Sequence, residues 1–199
     1  MNSSKKLLYS LDFPNRAQHL VSVELRVATQ RSSELTLWMP VWTPGSYLIR
    51  EYSRHVEGFE VRNEANKPLP WKKSAKNRWT LTTDGASSVV VRYQLYGREK
   101  SVRTNWIDSD YALINSASTF LTVEGRENSP HAVQVNLPET WKTVTCALPS
   151  HDGIFEAEDL DALIDSPLVM GNPEIIEFDV DDKPVVLLNQ GGGSLWNGS

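Results

Sequence analysis

Val21-Ser22-Val23-Glu24-Leu25-Arg26-Val27 alternates apolar and polar side chains at every step. Along an extended chain successive side chains point to opposite faces. This run therefore sends Val21, Val23, Leu25 and Val27 into a core and Ser22, Glu24 and Arg26 into water. The same period recurs at residues 7–13, 34–38, 78–82 and 89–96, and again at 119–123, 132–137 and 174–180. Turn signals separate these runs: residues 63–68, Asp84-Gly85, Gly125, Asp152-Gly153 and Asp181-Asp182-Lys183-Pro184. Many short strands at hairpin spacing, with few helical stretches, predict an all-β protein built as an antiparallel β-sandwich.

Two segments read otherwise. Residues 47–56 have the makings of a helical turn, diluted by Tyr and Ser. Residues 157–164, Ala-Glu-Asp-Leu-Asp-Ala-Leu-Ile, predict one short helix whose early acids suit the positive end of its dipole. Asp165-Ser166-Pro167 then ends it, because a residue before proline avoids the α region. No internal repeat is present. We expect one β-sandwich domain over residues 1–190 and a flexible Gly-rich tail over 191–199, a linker or an expression scar. Asn197-Gly198-Ser199 in that tail matches a glycosylation sequon.

Composition narrows the function classes. Among 199 residues, 40% are hydrophobic and 23% charged, as in a globular protein with a sizeable core. Seven Trp suit an aromatic core and interface, or a stacking platform for sugar or peptide. The net charge is −5 and the 20 Lys and Arg form no basic stripe, which argues against nucleic acid. The single cysteine, Cys146, excludes an intrachain disulfide and sits in an apolar alternation that points it inward. Tyr9, Ser10 and Asp12 interrupt any apolar run behind the first lysines, so no signal peptide is expected, and no membrane span. A cytoplasmic location is the expectation, although a removed leader or a trimmed chain would leave the same trace.

Catalytic patterns are missing. His19, His55, His131 and His151 form no H-x-x-x-H pair and no HExxH motif. Glu51 and His55 share the spacing of one helix face, enough for a local pair or a partner contact. Ser166 lacks the glycine flanks of a nucleophile elbow, and no helix follows Gly191–Gly193 to hold a phosphate. No cofactor is expected in this chain. Two polar clusters stand out instead. Residues 98–108 hold Arg103, Trp106 and Asp108, a mixture suited to a binding loop or to local ion pairs. Residues 163–171 place Asp165 in an apolar bend, where a helix-capping role is the simpler reading.

The richest segment is Leu37 to Val56, Leu-Trp-Met-Pro-Val-Trp-Thr-Pro-Gly-Ser-Tyr-Leu-Ile-Arg-Glu-Tyr-Ser-Arg-His-Val. Pro44 fixes φ and Gly45 permits a positive φ, so the chain turns sharply and presents Tyr47, Arg50 and Arg54 in defined directions. Trp beside Arg is the composition of a contact surface.

This segment resembles the signature of the N-terminal β domain in the glycyl aminopeptidase family, zinc metallopeptidases with a C-terminal PDZ domain. Ser101-Val102-Arg103-Thr104, Tyr111-Ala112-Leu113-Ile114-Asn115 and Leu163-Ile164-Asp165-Ser166-Pro167 match in order. The resemblance runs from Leu7 to about Val180. Leu160 departs from it, standing where the pattern carries an aromatic. Residues 185–190 also depart, not continuing into the expected domain junction, which leaves a truncated piece, a shortened gene product or a stand-alone domain open.

The resemblance implies a parent that removes N-terminal glycine or other small residues from peptides. Its zinc ligands and general base lie in a thermolysin-like domain that would follow this one. This chain would be the non-catalytic N-terminal module, its partners the catalytic domain of the same polypeptide and the parent's peptide substrate. Zinc is implied for that absent domain and for none of the residues here. On this reading Tyr47, Arg50, Arg54, Arg103, Asp108 and Asn115 gather on one end or face towards the missing domain. Asp108 or Asp165 would then be available to a substrate α-amine. The alternative is a free-standing β-sandwich binding module for carbohydrate or protein. It would stack ligand on Trp42, Trp71 or Trp106, and coplanar exposed indoles would mark it.

Overall fold

The alternating runs assemble as the period requires. The computed structural model describes residues 6–191. Its largest sheet has seven strands in the order β13 (Ser150–His151), β14 (Ile154–Ala157), β11 (His131–Asn136), β1 (Leu7–Asp12), β2 (Leu20–Ala28), β7 (Ser88–Tyr96) and β4 (Val56–Asn63). Neighbours run antiparallel except β1 and β11, which are parallel. A parallel pair cannot be joined by a tight hairpin, and residues 13–130 run between these two strands along the chain.

Two four-stranded sheets complete the sandwich. One runs β10 (Thr122–Val123), β3 (Glu34–Trp38), β6 (Arg78–Thr82), β5 (Trp71–Ala75). The other runs β12 (Thr143–Cys146), β15 (Leu168–Gly171), β9 (Ala112–Ile114), β8 (Trp106–Ile107). The register pairs Val23 with Tyr93, Leu25 with Val91 and Val27 with Val89, so one face of β2 and β7 is continuously apolar. That face shares a buried cluster with Leu37, Trp79 and Leu81 of the second sheet and Ile107, Ile114, Leu168 and Met170 of the third. Cys146 packs half-buried against this cluster, and burial pushes its thiol pKa up.

Residues 119–123 yield strand only at Thr122–Val123, preceded by a 3₁₀ turn at Ser116–Ser118. The Thr119 hydroxyl donates to the Asn115 carbonyl at 2.8 Å, a local bond that competes with a ladder. Tyr9 and Tyr93 then reach across the core, their hydroxyls donating to the carbonyls of Leu121 (2.9 Å) and Thr119 (2.8 Å). The predicted helix is shorter than expected: α1 covers Leu160–Ile164, while Ala157 stays in β14 opposite His131. Its N-cap is Asp159, whose carboxylate accepts from the Ala162 N–H at 2.8 Å. Asp165 contributes only its backbone N–H to the helix end, and its side chain is exposed.

The largest departure comes last. Strand β16 (Glu174–Val180) pairs with β17 (Lys183–Asn189) as a separate two-stranded sheet. Its alternation predicts a buried face, yet every residue of β16 is exposed. Residues 192–199, with most of the Gly-rich tail and the sequon, lie outside the described residues. Among the described residues no helix is long and apolar enough to cross a membrane.

Candidate functional site

After β3 the chain leaves the sheet and forms a tight projecting loop. Gly45 adopts φ 82°, as the Pro-Gly corner demands. The loop is then tied to itself: the Trp42 indole N–H donates to the Ser46 carbonyl at 2.8 Å and the Arg50 Nε to the Ser46 hydroxyl at 3.3 Å. The Arg50 N–H closes the base onto the Val41 carbonyl at 2.7 Å. With its polar groups turned inward, the loop presents Trp42, Tyr47, Leu48 and Ile49 to solvent at 51%, 101%, 62% and 76% exposure. Four large apolar side chains on a braced loop are a contact surface in waiting.

The loop runs into a 3₁₀ turn, Tyr52–His55, which anchors it. Tyr52 is buried, and burial raises its hydroxyl pKa while the nearby Arg50 and Arg103 guanidinium groups act against that rise. Arg50 and Arg103, far apart in sequence, thus both act electrostatically on Tyr52. The expected pairing of Glu51 with His55 does not form. Glu51 bonds Lys76 at 2.8 Å, and His55 receives the Arg54 Nε at 3.0 Å. Burial, then Arg54, hold the His55 imidazole below its usual pKa.

Behind Arg103 lies a buried polar hub. Asn105 Oδ1 accepts from the Asn115 N–H at 2.8 Å and lies 3.0 Å from the Ser118 hydroxyl, while its amide donates to Thr119 Oγ1 at 2.9 Å. Asn115 in turn donates its side-chain amide to the Val102 carbonyl at 3.0 Å, fastening the Arg103 loop. The Ser116 hydroxyl bonds the Ser166 carbonyl, which brings the exposed Asp165 next to the same turn. Asn115 thus opens the Ser116–Ser118 turn, with the Arg103 loop fastened to it through Val102 and Ser166, next to Asp165 in the chain, bonded to it. Arg54 shares the Tyr52 turn but points its guanidinium at His55.

Asp108 sits in the turn of the short β8–β9 hairpin. Its carboxylate accepts from the Ser109 N–H at 2.6 Å and lies 3.6 Å from Arg98. Arg98 also reaches His19 Nε2 at 2.9 Å and covers the Trp106 ring at 4.9 Å, so Asp108 belongs to a structural knot. Sequence reasoning missed Arg98 and Asn105 as organisers and Leu48 and Ile49 as exposed contacts. The signal for the last two was present, as apolar residues past the Pro-Gly corner with no strand period.

Trp42 and Trp71 are exposed, but among the described residues no two indoles are stacked on one another. Arg98 and Lys100 lie over the Trp106 ring at 4.9 and 4.4 Å. Trp71 packs edge-on to Phe59 at 4.7 Å, and Trp79 and Trp141 are buried. Among the described residues no group of three His, Cys, Asp or Glu is placed to hold a metal ion. The surface offers apolar contact, guanidinium groups and a carboxylate, which suits docking.

A family model described as the peptidase M61 N-terminal domain matches residues 8–172. The chain superposes on the crystal structure of an aminopeptidase N family protein from Idiomarina loihiensis with TM-score 0.85 and 34% identity, covering 92% of this chain and 32% of that one. It therefore spans about a third of that protein's length. Two structures of an M1 zinc metallopeptidase from Deinococcus radiodurans share the fold. One, with a Tyr-Ser-Ala substrate bound, gives TM-score 0.53 at 10% identity over 98% of this chain and 49% of that one. The other gives 0.53 at 9% identity over 96% and 48%. No curated protein matches the chain.

Proposed function

Because this chain belongs to the peptidase M61 N-terminal domain family, we infer that it is the non-catalytic β module of a zinc metallopeptidase that trims peptide N-termini. It packs on the catalytic domain of the same polypeptide and helps wall the substrate cleft. The observation that carries this reading is the braced loop that exposes Trp42, Tyr47, Leu48 and Ile49, with Arg50 bonded to its Ser46. A braced apolar loop stabilises a neighbouring domain when covered and gains nothing in water.

The chemistry divides accordingly. Zinc, held by the catalytic domain, would polarise the scissile carbonyl and activate water. The residues here would bind and orient. The loop fixes the angle between the domains, the guanidinium groups of Arg50 and Arg103 suit carboxylates across the cleft, and Asp165, exposed nearby, suits an α-amine. A wall that leaves room for small side chains would bias the parent towards glycine.

The test is a parent polypeptide carrying Trp42→Ala with Tyr47→Ser. We expect glycyl-peptide hydrolysis to fall about tenfold in kcat/KM, the scale of losing one or two interface anchors. Unfolding of the isolated chain should be unchanged. Hydrolysis at the parental level would remove the docking role from this loop.

A further inference from the structure

At the end of β3 away from the Trp42 loop, the chain parts from its neighbour. Strands β10 and β3 pair at Thr122 with Trp38 and at Val123 with Leu37. One more bond, from the Glu124 N–H to the Thr36 carbonyl at 2.9 Å, continues that ladder. Gly125 at φ 78° then turns the chain back, and the Arg126 N–H closes onto the Val123 carbonyl at 2.9 Å. Had the register run on, Glu34 would pair with Arg126. Instead the turn opens a solvent-exposed cavity of about 460 Å³, and Glu34 and Arg126 both line it. Another wall is the turn after β2, fixed by the Ser32 N–H on the Thr29 carbonyl (3.1 Å) and by the buried Thr29 hydroxyl on the Ala86 carbonyl.

The acid and the base of this lining do not meet. Arg126 donates one N–H to the Ala28 carbonyl at 2.6 Å, and burial lowers its pKa. Among the described residues neither Arg126 nor Glu34 forms an ion pair. The nearby acids are engaged elsewhere. Glu124 pairs with Arg78 at 2.5 Å, while Glu127 accepts from the Trp38 indole at 3.2 Å and from the Gly125 N–H at 3.1 Å. A guanidinium carries five N–H donors, so most of those on Arg126 are left for something outside the chain.

We propose that this cavity binds a small amino-acid zwitterion, with its carboxylate on Arg126 and its ammonium on Glu34. A guanidinium held by one carbonyl is an oriented carboxylate receptor. The Glu34 and Glu124 carboxylates in the same lining disfavour a simple anion, and Arg126 disfavours a simple cation. A molecule carrying both charges is opposed by neither. The Gly125 turn keeps the protein's own pair from closing and cancelling the site. Gln30, Ser32 and Thr36 add amide and hydroxyl groups to the lining, which suits a short polar molecule. Both ligating charges belong to this chain, so the site needs no second domain to be complete.

Amide NMR of the 199-residue chain, titrated with glycine, β-alanine and γ-aminobutyrate, tests it. These probes carry the same two charges at increasing separation, and the one that spans Glu34 and Arg126 should bind best. Its shifts should saturate and be confined to residues 29–36 and 123–129. Acetate and ethylammonium, with one charge each, should bind at least about tenfold more weakly. Arg126→Gln should abolish binding of the zwitterion. Because Arg126 also fastens Ala28, Glu34→Gln is the second variant, at an exposed strand end. It should weaken the zwitterion about tenfold and bring acetate level with it. Absence of saturable shifts with all three zwitterions would overturn the proposal. So would acetate matching the zwitterions on the unaltered chain, the mark of an unselective anion site. Zwitterion binding untouched by Glu34→Gln would overturn it too.

Discussion

Asn105 holds together a rim assembled from three stretches of chain. It is 4% exposed, and removing its amide would leave the Asn115 N–H without its partner and take from Thr119 Oγ1 the donor it accepts from. Unmade buried hydrogen bonds cost more than made ones contribute, so Asn105→Ala should lose about 2–3 kcal/mol. At this chain length that lowers the melting temperature by about 6 °C, and a shift under about 1 °C would deny Asn105 its organising role. His131 makes a second prediction. It is fully buried, stacked on Tyr9 with centroids 6.0 Å apart, and its Nε2 lies 3.2 Å from the Thr122 hydroxyl. Burial pushes its pKa down to about 4, against the weaker pull of Asp159 and Glu127. Between that value and the ordinary 6.5 the unfolded chain binds the proton and the folded one does not. Stability should therefore rise with pH across this window, by about 2–3 kcal/mol from pH 4.5 to 7.5. His131→Gln should flatten that limb in urea titrations, and an unchanged slope would assign the acid sensitivity elsewhere.

At the scale of elements, Gly97 marks where β7 leaves its sheet for the rim. A Cβ there would meet Asn105 Cβ at 2.7 Å and Ile107 Cδ1 at 2.9 Å. The Ile107 N–H bonds the Gly97 carbonyl at 2.8 Å, so the backbone cannot simply step aside. Gly97→Ala should cost about 1–3 kcal/mol and loosen Arg103 and Asn115, read as lower melting temperature and faster exchange in residues 98–105. Strands such as β2 and turns such as Asp84-Gly85 were legible because their signals are local: alternation, and residues that tolerate positive φ. The parallel pairing of β1 with β11 was not, since it joins segments more than a hundred residues apart. Nor was the turn at Ser116–Ser118, where hydroxyls take backbone carbonyls that the apolar pattern assigns to a ladder. Around the site, Tyr47, Arg50 and Arg103 were readable as a contact composition. The grouping of Arg50 with Arg103 at Tyr52, and the diversion of Asp108 to Arg98, are products of tertiary packing.

At the scale of the whole molecule, the loop of Trp42 to Ile49 and the ribbon of β16 and β17 expose large apolar side chains. A free-standing module would keep such apolar groups inside, as this chain does with Trp79, Phe120 and Leu95. On the proposed reading the rest of a longer polypeptide covers these surfaces. The chain's belonging to a peptidase family's N-terminal domain and its match to about a third of a longer chain agree with that. The most direct measurement is to titrate this chain into the separately expressed, zinc-loaded catalytic region of its parent, following complex formation by calorimetry and glycyl-peptide hydrolysis in parallel. The account predicts a saturable complex that raises or re-specifies hydrolysis and weakens when Trp42 and Tyr47 are replaced. Absence of a complex, with hydrolysis indifferent to the chain, would contradict it.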